Sequence, residues 1–149
     1  MKQLLTRLTV TTDGEGFTDL TAHLQQQINS SGLQCGLLQL VCLHTSCSLT
    51  VNENADPRVL RDLTTYLRAI VPQEGVQPIS GVGALRPYCH DEEGPDDKPS
   101  HIRTALTATS LGLSFEQGRL VLGTWQAVYL WEHRARSHRR QLSVHLIGE

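Results

Sequence analysis

The sequence predicts an α+β fold in which helices pack on a mainly antiparallel system of strands. Three observations carry this. Two-residue alternation marks both ends of the chain, apolar residues at helical spacing mark three stretches between them, and the elements run strands, helix, strands, two helices, strands. No internal repeat, low-complexity tract or linker divides residues 1–149, so they read as a single domain.

In order, Leu4, Thr6, Leu8 and Val10 alternate with Leu5, Arg7, Thr9 and Thr11 as in a half-buried strand, and Asp13-Gly14-Glu15-Gly16 is a turn. Phe17, Leu20, Leu24 and Ile28 recur at threes and fours, predicting a first helix that Ser31-Gly32 ends through a left-handed cap. Leu37 to Leu43 is apolar on both alternating faces, as in a central strand covered on both sides. Ser46, Ser48, Thr50 and Asn52 share one face of the next strand, and Cys47, Leu49, Val51 and Glu53 the other. Asp56-Pro57 is an N-cap followed by proline at the first helical position, and Val59, Leu60, Leu63, Leu67 and Ile70 form the stripe behind it. Residues 72–99, rich in proline and glycine, form a long loop with a short strand expected around Ile79 to Leu85. Ser100 starts a third helix with Ile102, Ala105 and Leu106 as its apolar side and Gly112 beyond its end. Strands are expected over Leu111–Phe115, Arg119–Glu132 and Arg139–Ile147.

Composition narrows the function classes. The chain is 39% hydrophobic and 19% charged, enough for an ordinary core. Thirteen Lys and Arg against fifteen Asp and Glu leave a formal charge of −2, so no global positive field gathers nucleic acid or an anionic membrane, and neither is expected as a partner. The longest apolar stretches fall far short of the roughly 20 residues that cross a bilayer. The N-terminal residues lack the apolar core of a signal peptide, which predicts a cytoplasmic protein with reduced thiols. Cys35, Cys42, Cys47 and Cys89 show no C-x-x-C spacing and read mostly as small core residues.

Among seven histidines, His44 ends a strand, His90 lies in the long loop and His101 opens the third helix. Imidazoles at such positions suit a divalent metal or general-base chemistry, so these three are the candidate metal ligands, His101 with an added catalytic role. The alternative is that His44 bonds backbone and His101 is solvated. His23, His133, His138 and His145 read as ordinary. Glu53 follows Leu49 and Val51 on one strand face and is expected to point inward, as a ligand-orienting group or base. Asp56 reads as a cap. Asp91, Glu92, Glu93, Asp96 and Asp97, like Arg139 and Arg140, read mostly as solvated faces. Functionally, Arg134 and Arg136 would grip a phosphate with help from Ser46, Ser48 and Asn54. Gln126 and Glu132 share a face with Val128 and Leu130, and serve either a catalytic cleft or a subunit interface. No Gly-rich phosphate loop, Rossmann fingerprint, G-x-S-x-G elbow or H-E-x-x-H pair is present.

Three segments resemble the YjbQ-like family: His44-Thr45-Ser46-Cys47-Ser48-Leu49-Thr50-Val51-Asn52-Glu53-Asn54, the stretch from Tyr88 to Ile102, and Gly118 to Gln126 with Trp131-Glu132-His133-Arg134. The resemblance implies an α+β sandwich that assembles as a homotrimer, with a polar, histidine-containing cleft near the subunit boundary that holds a metal ion. It also implies the activity of secondary thiamine-phosphate synthases, which join a pyrimidine methyl diphosphate to a thiazole phosphate and expel diphosphate. Three imidazoles suit Zn²⁺ or a similar ion, whereas a diphosphate favours Mg²⁺. Two alternatives stand beside the synthase. One is a metal-dependent hydrolase of a small phosphorylated or acyl metabolite; the other is a non-enzymatic trimer that binds a small anion or a protein.

Overall fold

The computed structural model describes every residue from Met1 to Glu149. Strand β1 (Lys2–Thr11) pairs antiparallel along its length with the last strand, β8 (Arg139–Gly148), with Leu4 opposite Leu146 and Val10 opposite Arg140. The predicted alternation therefore sets Leu142, Val144 and Leu146 of β8 inward together with Val10 of β1, while Leu4 near the start of β1 is exposed. Strand β3 (Gly36–Cys42) joins the other side of β8, followed by β5 (Ser110–Glu116) and the two-residue β6 (Arg119–Leu120), giving the order β1-β8-β3-β5-β6. An alanine methyl at Gly36 would lie 2.1 Å from the carbonyl oxygen of Ile147, so this close approach requires glycine.

The second sheet has the order β2-β7-β4, from β2 (Gly16–Asp19), β7 (Gln126–Glu132) and β4 (Cys47–Glu53). All pairings in both sheets are antiparallel. Leu38, Leu40, Leu113 and Leu142 of the first sheet form one buried cluster with Leu49, Val128 and Leu130 of the second. Burying each such side chain contributes about 1.5–3 kcal/mol.

Helix α1 (Thr21–Ser31) adds Leu24 and Ile28 to that cluster and ends at Gly32 with φ 71°. Helix α2 (Pro57–Ile70) starts as predicted, with Asp56 Oδ1 accepting from the Arg58 N–H at 2.9 Å. Its stripe is only partly used, since Leu67 is buried and Ile70 is exposed. Helix α3 (Asp97–Leu106) packs on β4.

Several expectations are corrected. Phe17 belongs to β2, not α1, because its ring stacks on Trp131 of the neighbouring strand at 4.5 Å while Asp19 Oδ1 receives the Thr21 N–H where the helix begins. The third helix starts at Asp97, since Pro99 tolerates a first turn, where no donor is needed. Gly112 consequently sits inside β5. Ile79 to Leu85 is not a strand; the Val76–Arg86 bridge closes an arm whose Ile79 and Val82 are exposed. The strand expected from Arg119 breaks after Leu120 and resumes at Gln126, because the Gln126 N–H bonds back to Gly123 O. β3 is buried on one face only, leaving Leu37 exposed.

Candidate metal-binding site

Asp97 and His101 stand four residues apart at the start of α3, so they project from the same side of its first turns. The loop before the helix folds back and places His90 against them. His90 Nε2 lies 2.8 Å from Asp97 Oδ2, and His101 Nε2 lies 3.5 Å from Asp97 Oδ1. One ligand atom from each residue lies within 4.8 Å of the other two. The side chain of Asp97 is 2% exposed, that of His101 30% and that of His90 53%, so a buried carboxylate is approached from solvent through two imidazoles.

The surrounding bonds define which atoms are free. The Thr45 carbonyl can only accept, so His101 Nδ1 donates to it at 2.8 Å, which leaves Nε2 as the ring nitrogen facing the cluster. The Arg134 guanidinium donates to Asp97 Oδ1, to Asp96 Oδ2 at 3.1 Å and to Glu93 O at 2.9 Å. Asp97 Oδ2, by contrast, is buried and accepts no hydrogen bond from Arg134 or the backbone; its polar neighbour is His90 Nε2. Burial works against the Asp96 charge, but the Ala135 N–H and Arg134 outweigh it and hold that carboxyl below its usual range. Arg134 is therefore a clamp on residues 93–97.

Two recesses flank the cluster. One of about 360 Å³ is lined by Gln73, Tyr88, His90, Asp91 and Lys98. Another, of about 440 Å³, is lined by Cys42, His44, Thr45, His101, Thr104 and Thr107.

The other residues singled out in the sequence fall elsewhere. His44 stands outside the cluster; its Nε2 accepts the Gln141 N–H at 2.7 Å, the backbone-bonding alternative. Asp97 takes the third place, although the acidic run that contains it reads as solvated. Glu53 does not point inward: its Oε1 accepts from Ala55 N and Asp56 N across the turn before α2. Asn54 Nδ2 donates to Gln126 O, and Gln126 Oε1 receives the Gly123 N–H. Arg136 is exposed. Glu53, Asn54 and Gln126 are at one end of the three-stranded sheet and Glu132 at the other, six residues of extended chain or about 20 Å away.

Glu132, fully buried, is saturated. Arg140 Nε donates to Oε2 at 2.7 Å and its Nη2 to Oε1, Thr12 Oγ1 donates to Oε2 at 2.9 Å, and the Arg134 N–H to Oε1 at 3.0 Å. Burial disfavours both charges. The ion pair outweighs it, holding the carboxyl below its usual range and the guanidinium above. The Ser46 carbonyl receives the His133 N–H, and Ser48 Oγ bonds His133 Nε2 at 2.8 Å, also out of solvent.

His133 reads as ordinary in the sequence, yet burial first and the Arg103 guanidinium second push its pKa down to about 3. In the unfolded chain the ring protonates near 6.5. Between these values the unfolded chain binds the extra proton, so stability falls as pH drops, by about 2 kcal/mol from pH 7 to pH 5. Urea unfolding at both pH values should show this loss in the wild type and a smaller one in His133→Gln. Equal losses would assign the effect to another group.

No helix is long and apolar enough to cross a membrane. The family model described as "UPF0047 protein YjbQ-like" matches residues 6–149. A UPF0047 protein of Synechocystis is 44% identical over 142 residues, covering 95% of this chain and 90% of the relative. The UPF0047 protein YjbQ of Salmonella typhimurium is 40% identical over 145 residues, covering 95% and 96%. Among solved structures, an uncharacterized conserved protein of the YjbQ/UPF0047 family from Clostridium acetobutylicum aligns with a TM-score of 0.79 at 31% identity, covering 95% of this chain and 99% of that one. A conserved hypothetical protein of Thermus thermophilus aligns at 0.78 and 34%, with the same coverage. With a family model spanning nearly all of its residues and relatives aligned end to end, the chain belongs to the UPF0047 family of YjbQ-like proteins.

Proposed function

We propose that the chain is a metal-dependent enzyme in which His90, Asp97 and His101 hold one divalent transition-metal ion and act on the phosphate of a small phosphorylated metabolite. The observation that carries this reading is the cluster itself, the buried carboxylate of Asp97 with Oδ2 facing His90 Nε2 at 2.8 Å and His101 Nε2 beside it. A buried carboxylate charge is costly unless a cation offsets it, and an ion shared with the two imidazoles would do so. Two nitrogens and one carboxylate suit zinc, iron or manganese better than magnesium, and leave coordination positions open. The hydrogen bond that His101 Nδ1 donates to Thr45 O and the Arg134 clamp on Asp97 are the supports that ligating side chains require.

When bound, the ion neutralises charge on a departing phosphate or activates a water. Lys98, on the recess beside His90, is a cation placed to meet the phosphate. The reaction is the one that the family resemblance implies, the coupling of a pyrimidine methyl diphosphate to a thiazole phosphate. The open coordination positions favour a second reading, hydrolysis of a phosphorylated metabolite. The working unit is a cytoplasmic homotrimer; the exposed Leu5 and Leu37 on the uncovered side of the larger sheet and Ile79 on the arm are apolar surfaces for the contacts.

Chelator-stripped protein titrated with Zn²⁺, Co²⁺ and Mg²⁺ should take up one transition ion per chain and prefer it to Mg²⁺, with light scattering giving three chains per particle. Thiamine phosphate made from the two precursors only with metal present supports the synthase; phosphate released without the thiazole acceptor supports the hydrolase. Absence of any bound metal at micromolar concentrations overturns the reading.

A further inference from the structure

We propose that Cys42 and Cys47 are a reversible redox site, closed into an intramolecular disulfide by a small peroxide that enters through the recess shared by Cys42, His44 and His101. Cys42 ends β3 and Cys47 begins β4, and their sulfur atoms lie 3.1 Å apart, about 1 Å more than a covalent S–S bond. Both thiols are free, whereas Cys35 and Cys89 are exposed and have no such neighbour. Cys42 lines the recess and Cys47 is fully enclosed, so access assigns the order of events. The Cys42 sulfur attacks the O–O bond of hydrogen peroxide, forming a sulfenic acid and releasing one water. The Cys47 sulfur then attacks the Cys42 sulfur, the S–O bond breaks, and a second water leaves. The pair loses two electrons and two protons, and the peroxide is reduced to two waters.

Residues 43–46 lie inside the ring that this bond closes. They include Thr45, whose carbonyl holds His101 Nδ1, and Ser46, whose carbonyl receives the His133 N–H. Drawing the two sulfur atoms together tightens the ring that carries the Thr45 carbonyl, and the proposed consequence is a weakening of the 2.8 Å bond between it and His101 Nδ1. Oxidation should therefore weaken metal binding about 10-fold, the lower end of the effect of losing a ligand's outer support. This second effect rests on the metal centre proposed above; the disulfide does not.

The full-length Cys35→Ser/Cys89→Ser variant, treated with hydrogen peroxide, should lose two hydrogens in intact mass, with peptides carrying residues 42 and 47 cross-linked and dithiothreitol restoring both thiols. Adding Cys42→Ser or Cys47→Ser should abolish the cross-link. Both thiols remaining open to alkylation after denaturation would overturn the disulfide. With the disulfide present, unchanged zinc affinity would overturn the coupling, and failure of both reduced and oxidised protein to bind zinc would overturn the metal centre while the redox site stands.

Discussion

Glu132→Gln should destabilise the fold by about 3–5 kcal/mol, because it leaves the buried Arg140 guanidinium without its countercharge. For a chain of this size the Tm should fall by about 10 °C or more. The amide nitrogen also meets existing donors in either orientation, the Arg134 N–H and Arg140 Nη2 at the Oε1 position or Thr12 Oγ1 and Arg140 Nε at the Oε2 position. Urea unfolding followed by circular dichroism measures the effect. Glu132→Leu combined with Arg140→Met should recover much of the loss, since an apolar pair of similar volume leaves no charge unpaired. A Glu132→Gln variant with an unchanged urea midpoint and no activity would return Glu132 to the direct catalytic role that its strand position suggested.

Asp97→Asn should weaken zinc binding by at least about 100-fold, more than the roughly 10–100-fold typical of losing a ligand's outer support. His90→Ala and His101→Ala should have effects of similar size. His44→Ala should leave zinc affinity within about threefold, because its Nε2 is occupied by the Gln141 N–H and its ring bonds none of the three ligands, so no outer support is lost. Calorimetric titration of all four variants distinguishes this centre from one built on His44. Loss of binding in His44→Ala equal to that in His101→Ala would overturn the assignment. Asp97→Asn retains an oxygen for Arg134 Nη1, so the affinity can be read on folded protein.

Much of the fold is legible in local chemistry. The alternation at Leu4–Val10 and at Leu142–Leu146, the Asp56-Pro57 start and the Gly32 stop depend on side-chain period and backbone dihedrals, which neighbouring residues decide. Helical spacing misplaces Phe17 because a stacking partner 114 positions away outweighs it. The candidate site is half legible. His90 and His101 stand out in the sequence, and a helix start three residues earlier, at Asp97, adds the carboxylate by its spacing to His101. His44 joins them in the sequence because nothing there shows that a backbone N–H from β8 occupies its ring nitrogen.

Periodicity and side-chain chemistry suffice for most of the element types, for the mainly antiparallel strands and for two of the three clustered residues, His90 and His101. Tertiary structure alone decided which polar groups are spent and which are free. Arg134 and Glu132 are taken up in ion pairs, Asp97 is buried with one oxygen turned to His90, and Cys42 meets Cys47. The reason is physical. A charge acts on a ligand only when its own partners leave it unsatisfied, and those partners come from strands and loops far away in the chain.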